Sequence, residues 1–120
     1  MSTKHKVRVR RAYNEPRRGD GIRVLVDRIW ARGLTKEKAD LDEWCKAAAP
    51  STELRKWYGH APERFEEFSR RYRAELKQPT RAECVDHMRE LAKRRNLTLT
   101  TATKDAEISE ARVIANLIQR

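Results

Sequence analysis

Three short stretches of this 120-residue chain hold polar side chains at spacings that chemistry can use. The first is Asp27-Arg28-Ile29-Trp30-Ala31-Arg32-Gly33, where two arginines four apart can clamp an oxyanion and Asp27 offers a proton acceptor. The second is Ser51-Thr52-Glu53-Leu54-Arg55-Lys56-Trp57-Tyr58-Gly59-His60. Arg55 and Tyr58 stand three apart on one helix side, and His60 is the side-chain type that changes charge near neutrality. The third is Thr103-Lys104-Asp105, entering a helix, where free amides and a lysine favour anions and Asp105 can act as a base.

Each stretch also has a plainer reading. Arg28 can be paired internally with a carboxylate such as Asp42, since a buried guanidinium left alone costs several kcal/mol. Asp105 can be a simple helix cap beside a solvated Lys104, and Ser51 or Thr52 can cap the helix that follows Pro50. A serine triad of Ser51, His60 and Asp27 or Asp105 lacks the Gly-x-Ser-x-Gly elbow that would raise Ser51 as a nucleophile, so capping is its first role. Cys45 beside Lys46 reads as a core thiol next to Trp44 rather than an activated thiolate.

Other chemistries find no support in the spacing. Cys45 and Cys84 form no Cys-x-x-Cys, and His5, His60 and His87 share no ligand spacing, so neither a metal site nor a disulfide framework is expected. Both common glycine-rich phosphate loops are absent, and no cofactor is expected. The chain has no apolar run of about 18 residues and begins Met1-Ser-Thr-Lys-His-Lys without a signal-like apolar stretch, which predicts a cytoplasmic protein with no membrane association. The net charge is +10, and the first sixty residues carry +7 of it. Lys4 to Arg11 contains no acid and Arg17-Arg18 follow, an edge that could attract nucleic acid through phosphate contacts. Against that partner, Trp30, Trp44, Trp57, Phe65, Phe68 and Tyr72 fall in apolar patterns and not on a basic strand where bases would stack.

These residues need a scaffold, and the periodicities supply one. Lys6–Ala12 alternates as a half-buried strand, and Ile22–Trp30 is apolar on both faces, as a central strand covered by helices would be. In the second strand Arg28 shares a face with Val24, Val26 and Trp30. Thr35 caps a short helix over Lys36–Ala39, and Leu41–Ala49 fits either a short strand or a helix with Leu41 and Trp44 inward. A short helix runs from Ser51 to Tyr58 with Gly59 as its stop. Pro62 opens a second, whose apolar face is Phe65, Phe68, Tyr72 and Leu76. A third over Arg81–Arg95 buries Cys84, Met88, Leu91 and Ala92. Leu97–Ala102 is a strand, and an amphipathic helix runs from about Ile108 to the C-terminus. This order predicts one domain over residues 1–120, a small three-layer α/β fold with a mainly parallel sheet flanked by helices. In such sheets ligands bind beyond the carboxyl ends of the strands, where all three polar stretches fall.

The stretches Arg23-Val-Leu-Val-Asp-Arg-Ile-Trp-Ala-Arg-Gly33, Leu41-Asp-x-Trp44, Ala49-Pro-Ser-Thr-Glu-Leu-Arg-Lys-Trp-Tyr-Gly-His60 and Phe68-x-x-x-Tyr72 to Glu75-Leu76 resemble the YeaO-like family, a bacterial domain-of-unknown-function family (number 488). The resemblance spans nearly the whole chain and implies a bacterial cytoplasmic α/β domain, without catalytic assignments. Its polar signature corresponds here to Asp27, Arg28, Arg32, Ser51, Arg55, His60, Lys104 and Asp105. Two departures stand out: Ala31 where the family commonly has proline, and Ile108-Ser109-Glu110 where it commonly has an Asn with a neighbouring His. The second change argues against acid-base or metal chemistry in that loop.

The expectation is a pocket in which Arg28, Arg32, Ser51, Arg55 and Lys104 hold a small anionic ligand, phosphorylated or not, with Asp27, His60 and Asp105 as candidate catalytic groups. The same residues would serve an enzyme or a ligand-binding protein. The alternatives are a nucleic-acid-binding basic N-terminal edge and a purely structural ion-pair network.

Overall fold

A computed structural model describes residues 5–119, so Lys4 of the basic stretch lies outside the described residues. Four strands, β1 (Val7–Arg11), β2 (Ile22–Leu25), β3 (Glu43–Trp44) and β4 (Leu97–Thr101), form one sheet in the order β1-β4-β2-β3. All three pairings are parallel, with Val9 and Val24 both in register with Leu99. Among the described residues, five α-helices accompany the sheet: α1 (Lys36–Ala39), α2 (Thr52–Tyr58), α3 (Phe65–Glu75), α4 (Pro79–Arg94) and α5 (Glu110–Ile118). The expected small α/β domain is therefore the observed one.

Alternation decides what each strand gives to each face. Val7, Val9, Ile22, Val24, Val26, Leu97 and Leu99 point to one side and join Phe68, Tyr72, Leu76, Val85, Met88 and Ile114 of α3, α4 and α5 in the main core. Full burial of each large apolar side chain contributes about 1.5–3 kcal/mol, so this face holds the fold together. Tyr58, Phe68 and Tyr72 stack in a row, with ring centroids 4.2 and 5.6 Å apart, which ties α2 to α3. The other face of the sheet is thinner. There Ala12, Leu25 and Ala31 make a small cluster with Trp30, Leu34, Leu41 and Ala102, covered by loops and the single turn of α1.

That second face also holds a buried ionic network. Asp20 and Arg23 are 1% and 2% exposed. The Asp20 carboxylate accepts from Arg23 Nη1 at 2.7 Å, Arg10 Nη1 at 2.8 Å and the Arg17 amide at 3.0 Å. Arg23 Nε donates to the Ala39 carbonyl at 3.1 Å. Burial pushes the Asp20 carboxyl up, but the Arg17 N–H and the two arginines more than offset it and hold it below the ordinary value. Thr98 Oγ1 donates to the Asp20 carbonyl at 2.7 Å, fixing the turn against β4. The next residue must be glycine: Gly21 has φ +66°, and a Cβ there would lie 2.1 Å from the Asn96 carbonyl oxygen.

Three expectations change. β2 stops at Leu25 and does not run to Trp30, because Asp27 turns its carboxylate back onto β4 and the chain leaves the sheet. Arg28 is consequently exposed and not on a buried strand face; the buried arginine is Arg23, and Asp42 accepts from the Arg23 backbone amide at 2.9 Å. Leu41–Ala49 resolves into the two-residue strand β3 and a 3₁₀ turn at Lys46–Ala48. Trp44 lies at the sheet edge, 39% exposed, edge-on to Trp30 at 5.5 Å. In α4 the fully buried residues are Val85 and Met88, with Cys84, Leu91 and Ala92 at the core margin.

Of the basic edge, Arg10 is spent on Asp20, and the Arg11 guanidinium lies 5.0 Å from the centre of the Tyr13 ring.

Candidate functional site

The carboxyl ends of β1, β2 and β4 open onto one cavity of about 450 Å³. Tyr13 follows β1, Asp27 to Arg32 follow β2, and Ala102 and Thr103 follow β4. Arg55, Lys56, Tyr58 and His60 from α2 and its end face them, with Phe68, Ser109 and Glu110 closing the floor.

Local structure explains how each side chain arrives. The Asp27–Gly33 loop is pinned at three points: Trp44 Nε1 donates to the Asp27 carbonyl at 2.7 Å, Trp30 Nε1 to the Leu34 carbonyl at 2.7 Å, and the Tyr13 hydroxyl to the Arg32 carbonyl at 2.8 Å. α2 is capped by Ser51, whose Oγ accepts from the Leu54 amide at 3.2 Å, and ends at Gly59 with φ +54°. His60 follows with φ +58°, a conformation uncommon outside glycine, and this reversal leaves it on the cavity wall.

The cations make no close ion pair. Among the described residues, no carboxylate lies within 4 Å of the charged groups of Arg28, Arg32, Arg55, Lys56 or Lys104. Arg28 Nη1 donates to Thr52 Oγ1 at 2.6 Å.

The floor is acidic and half-buried. Asp27 Oδ1 accepts from Thr101 Oγ1 at 2.7 Å and Oδ2 from the Ala102 amide at 2.7 Å. Burial raises the Asp27 carboxyl above its ordinary value, although the Ala102 amide, the Thr101 hydroxyl and the charges of Arg55 and His60 pull the other way. Glu110 Oε1 lies 3.3 Å from the same Thr101 Oγ1. Burial, and then the charge of Asp27, push the Glu110 carboxyl up to about 7. Tyr58 donates to the Ile108 carbonyl at 2.6 Å, and burial with the nearby carboxylates pushes its phenol up to about 12. Two neighbouring carboxyl groups, both displaced upward and the Glu110 one to about 7, can share a proton beside a bound anion.

Of the candidate residues, Asp27, Arg28, Arg32, Arg55 and His60 line this one cavity. Lys104 and Asp105 line an adjoining cavity of about 860 Å³, which shares Asp27, His60, Ala102 and Thr103 with the first. Asp105 precedes the 3₁₀ turn Ala106–Ile108 and makes no side-chain cap there. Ser51 is elsewhere. It borders a separate hollow of about 360 Å³ with Arg28, Lys46 and Arg81, and its hydroxyl donates to Glu75 at 2.5 Å. Ser51→Ala is therefore expected to lower stability by about 1 kcal/mol through the lost cap, measured by urea unfolding, while anion affinity in the main cavity changes less than twofold.

Sequence reasoning missed Glu110 and Thr101. Glu110 opens an amphipathic helix, where a first-turn acid is ordinarily a solvated complement to the helix dipole. The signal available was its place in the loop that departs from the family pattern. Cys45 behaves as expected of a core thiol: burial pushes it up to about 12, so it is not an activated nucleophile.

The family model described as "Inactive DUF488-N3 subclade" matches residues 6–120. An uncharacterized protein of Mycobacterium tuberculosis (strain H37Rv) is 44% identical over 118 residues, covering 98% of each chain. An uncharacterized protein of Mycobacterium bovis matches equally, at 44% over 118 residues with 98% of each chain covered. The uncharacterized protein YeaO of Escherichia coli (strain K12) is 35% identical over 113 residues, covering 94% of this chain and 96% of that one. No solved structure matches.

Proposed function

The chain belongs to the YeaO-like DUF488 family, and on that premise we propose that its cavity binds a small anionic ligand through Arg28, Arg32 and Arg55, with Lys104 at the adjoining mouth. The observation that carries this reading is the convergence on one cavity of three arginines from two segments, the loop after β2 and α2, with no salt-bridged carboxylate among the described residues. A purely structural network would pair them, as Asp20 pairs Arg23 on the opposite face. Guanidinium groups suit oxyanions such as phosphate or carboxylate because they donate in a planar fork.

The word "Inactive" describes the matched subclade, and it favours binding over turnover for this chain. The site chemistry agrees. Asp27 spends both oxygens on Thr101 and Ala102, which leaves it poorly placed to take a proton from a substrate. His60 and Asp105 are exposed at the rim.

The test is a thermal-shift series with sulfate, phosphate, pyrophosphate and nucleotides on wild type and the Arg28→Ala/Arg32→Ala double variant. A ligand at a hundredfold its Kd should stabilise wild type by about 2.7 kcal/mol. The double variant is expected to lose tenfold or more in affinity with its unliganded melting temperature nearly unchanged, since both side chains are exposed. Equal and negligible shifts for every anion would remove the proposal.

A further inference from the structure

We infer that Asp27 and Glu110 make a one-proton subsite in the cavity floor, so that an oxyanion enters the cavity together with a proton held on Glu110. This rests on the anion-binding reading and adds Glu110 as a ligand-site residue, with an oxyanion plus one proton as the species bound.

The argument is a hydrogen-bond count around Thr101. Its hydroxyl has one proton and two lone pairs. The proton goes to Asp27 Oδ1, at the shorter distance of 2.7 Å, and one lone pair accepts from the Thr103 amide at 3.1 Å. Glu110 Oε1, at 3.3 Å, then faces the remaining lone pair. An ionised Glu110 would set lone pair against lone pair, whereas a protonated one donates to Thr101 and completes the count. Asp27 is the member that stays ionised, because both its oxygens already accept hydrogen bonds. The charged and titratable groups around the pair are Arg55 and Tyr58 from α2, His60 beyond it, Tyr72 from α3 and Asp105 before α5, with Arg28, Arg32 and Lys56 on the same cavity wall. The upward displacement of the Glu110 carboxyl agrees with this assignment.

The coupling to ligand follows from charge. Both carboxyl groups line the cavity that Arg55 lines, and each negative charge there repels an entering anion. Keeping the proton on Glu110 removes one of them, so anion binding favours the protonated state and, by reciprocity, protonation favours the anion.

Sulfate is the probe, because its own charge does not change between pH 5.5 and 9. Isothermal titration at fixed ionic strength should show wild-type affinity falling three- to tenfold per pH unit above about 7, with Glu110→Gln flat and His60→Gln retaining the slope. Sulfate binding that is independent of pH, or a slope that survives in Glu110→Gln, overturns the inference and leaves the anion pocket standing. No sulfate binding at any pH overturns both. Should Glu110→Gln fail to fold, carbon-13 NMR of the wild-type carboxyl groups decides: a Glu110 midpoint near 7 supports the inference, and one near the ordinary 4.5 ends it.

Discussion

Asp20→Ala should cost about 3–5 kcal/mol of folding stability, the usual effect of removing one partner from a buried ion pair. Arg23 is 2% exposed, and the substitution leaves it with the Ala39 carbonyl as its remaining partner. Its Nη2 already lacks an acceptor, so no spare contact can take over. Arg10, 14% exposed at the side chain, can turn to water and adds little to the loss. Against a typical total of about 5–15 kcal/mol, this single change would leave much of the population unfolded at mild temperature. Urea unfolding should show a large drop in midpoint with an unchanged slope; a loss below about 1 kcal/mol would mean that the network contributes little. The paired variant Asp20→Leu/Arg23→Met should recover part of the deficit, because apolar groups of similar volume commonly match a buried pair. The Asp20 carboxyl lies below its ordinary value of 3.8, so its contribution is complete above that pH and is lost as pH falls through the folded-state value.

That network also shows where the sequence was legible. Alternation in Val7–Arg11 and Leu97–Thr101 and the helical spacing of Phe68, Tyr72 and Leu76 are local signals, and each element formed where its period placed it. The run from Ile22 to Trp30 misled because apolar residues continue past Leu25 into a loop. Val26 still bonds Thr100 at 3.2 Å, but Ile29 is 67% exposed and Trp30 turns to the Leu34 carbonyl. Nothing in the spacing marks Asp27 as the residue that ends the strand, since its partners Thr101 and Ala102 lie some 75 positions away. The expectation of a buried Arg28 fails with it, because a strand that stops early exposes Arg28, while Arg23 is the arginine the sheet buries, against Asp20. Arg28, Arg32 and Arg55 could be assembled beforehand because the carboxyl ends of parallel strands are a general ligand position. Glu110 could not. Its character comes from burial beside Asp27, a contact made only in the folded chain.

Glu110→Gln should stabilise the protein at pH 8 by about 3 kcal/mol, a rare gain from altering a charged residue. The folded-state value of about 7 lies above the ordinary 4.5, so between those limits the folded protein holds more proton than the unfolded chain. Stability from this group is complete below about 4.5 and falls as pH rises, until above about 7 the full cost of ionising a buried carboxyl beside Asp27 is carried. Glutamine has the shape of the protonated acid and its amide can donate to Thr101 Oγ1, so it keeps the low-pH hydrogen bonding without the charge. Wild type and variant should therefore be equally stable near pH 4, diverge between pH 4.5 and 7, and run parallel above. The difference between their urea-derived free energies across that range isolates the Asp27–Glu110 pair, because titrations away from it are common to both. A constant difference from pH 4 to 9 would place Glu110 in ordinary solvent contact and remove the acidic floor from the cavity.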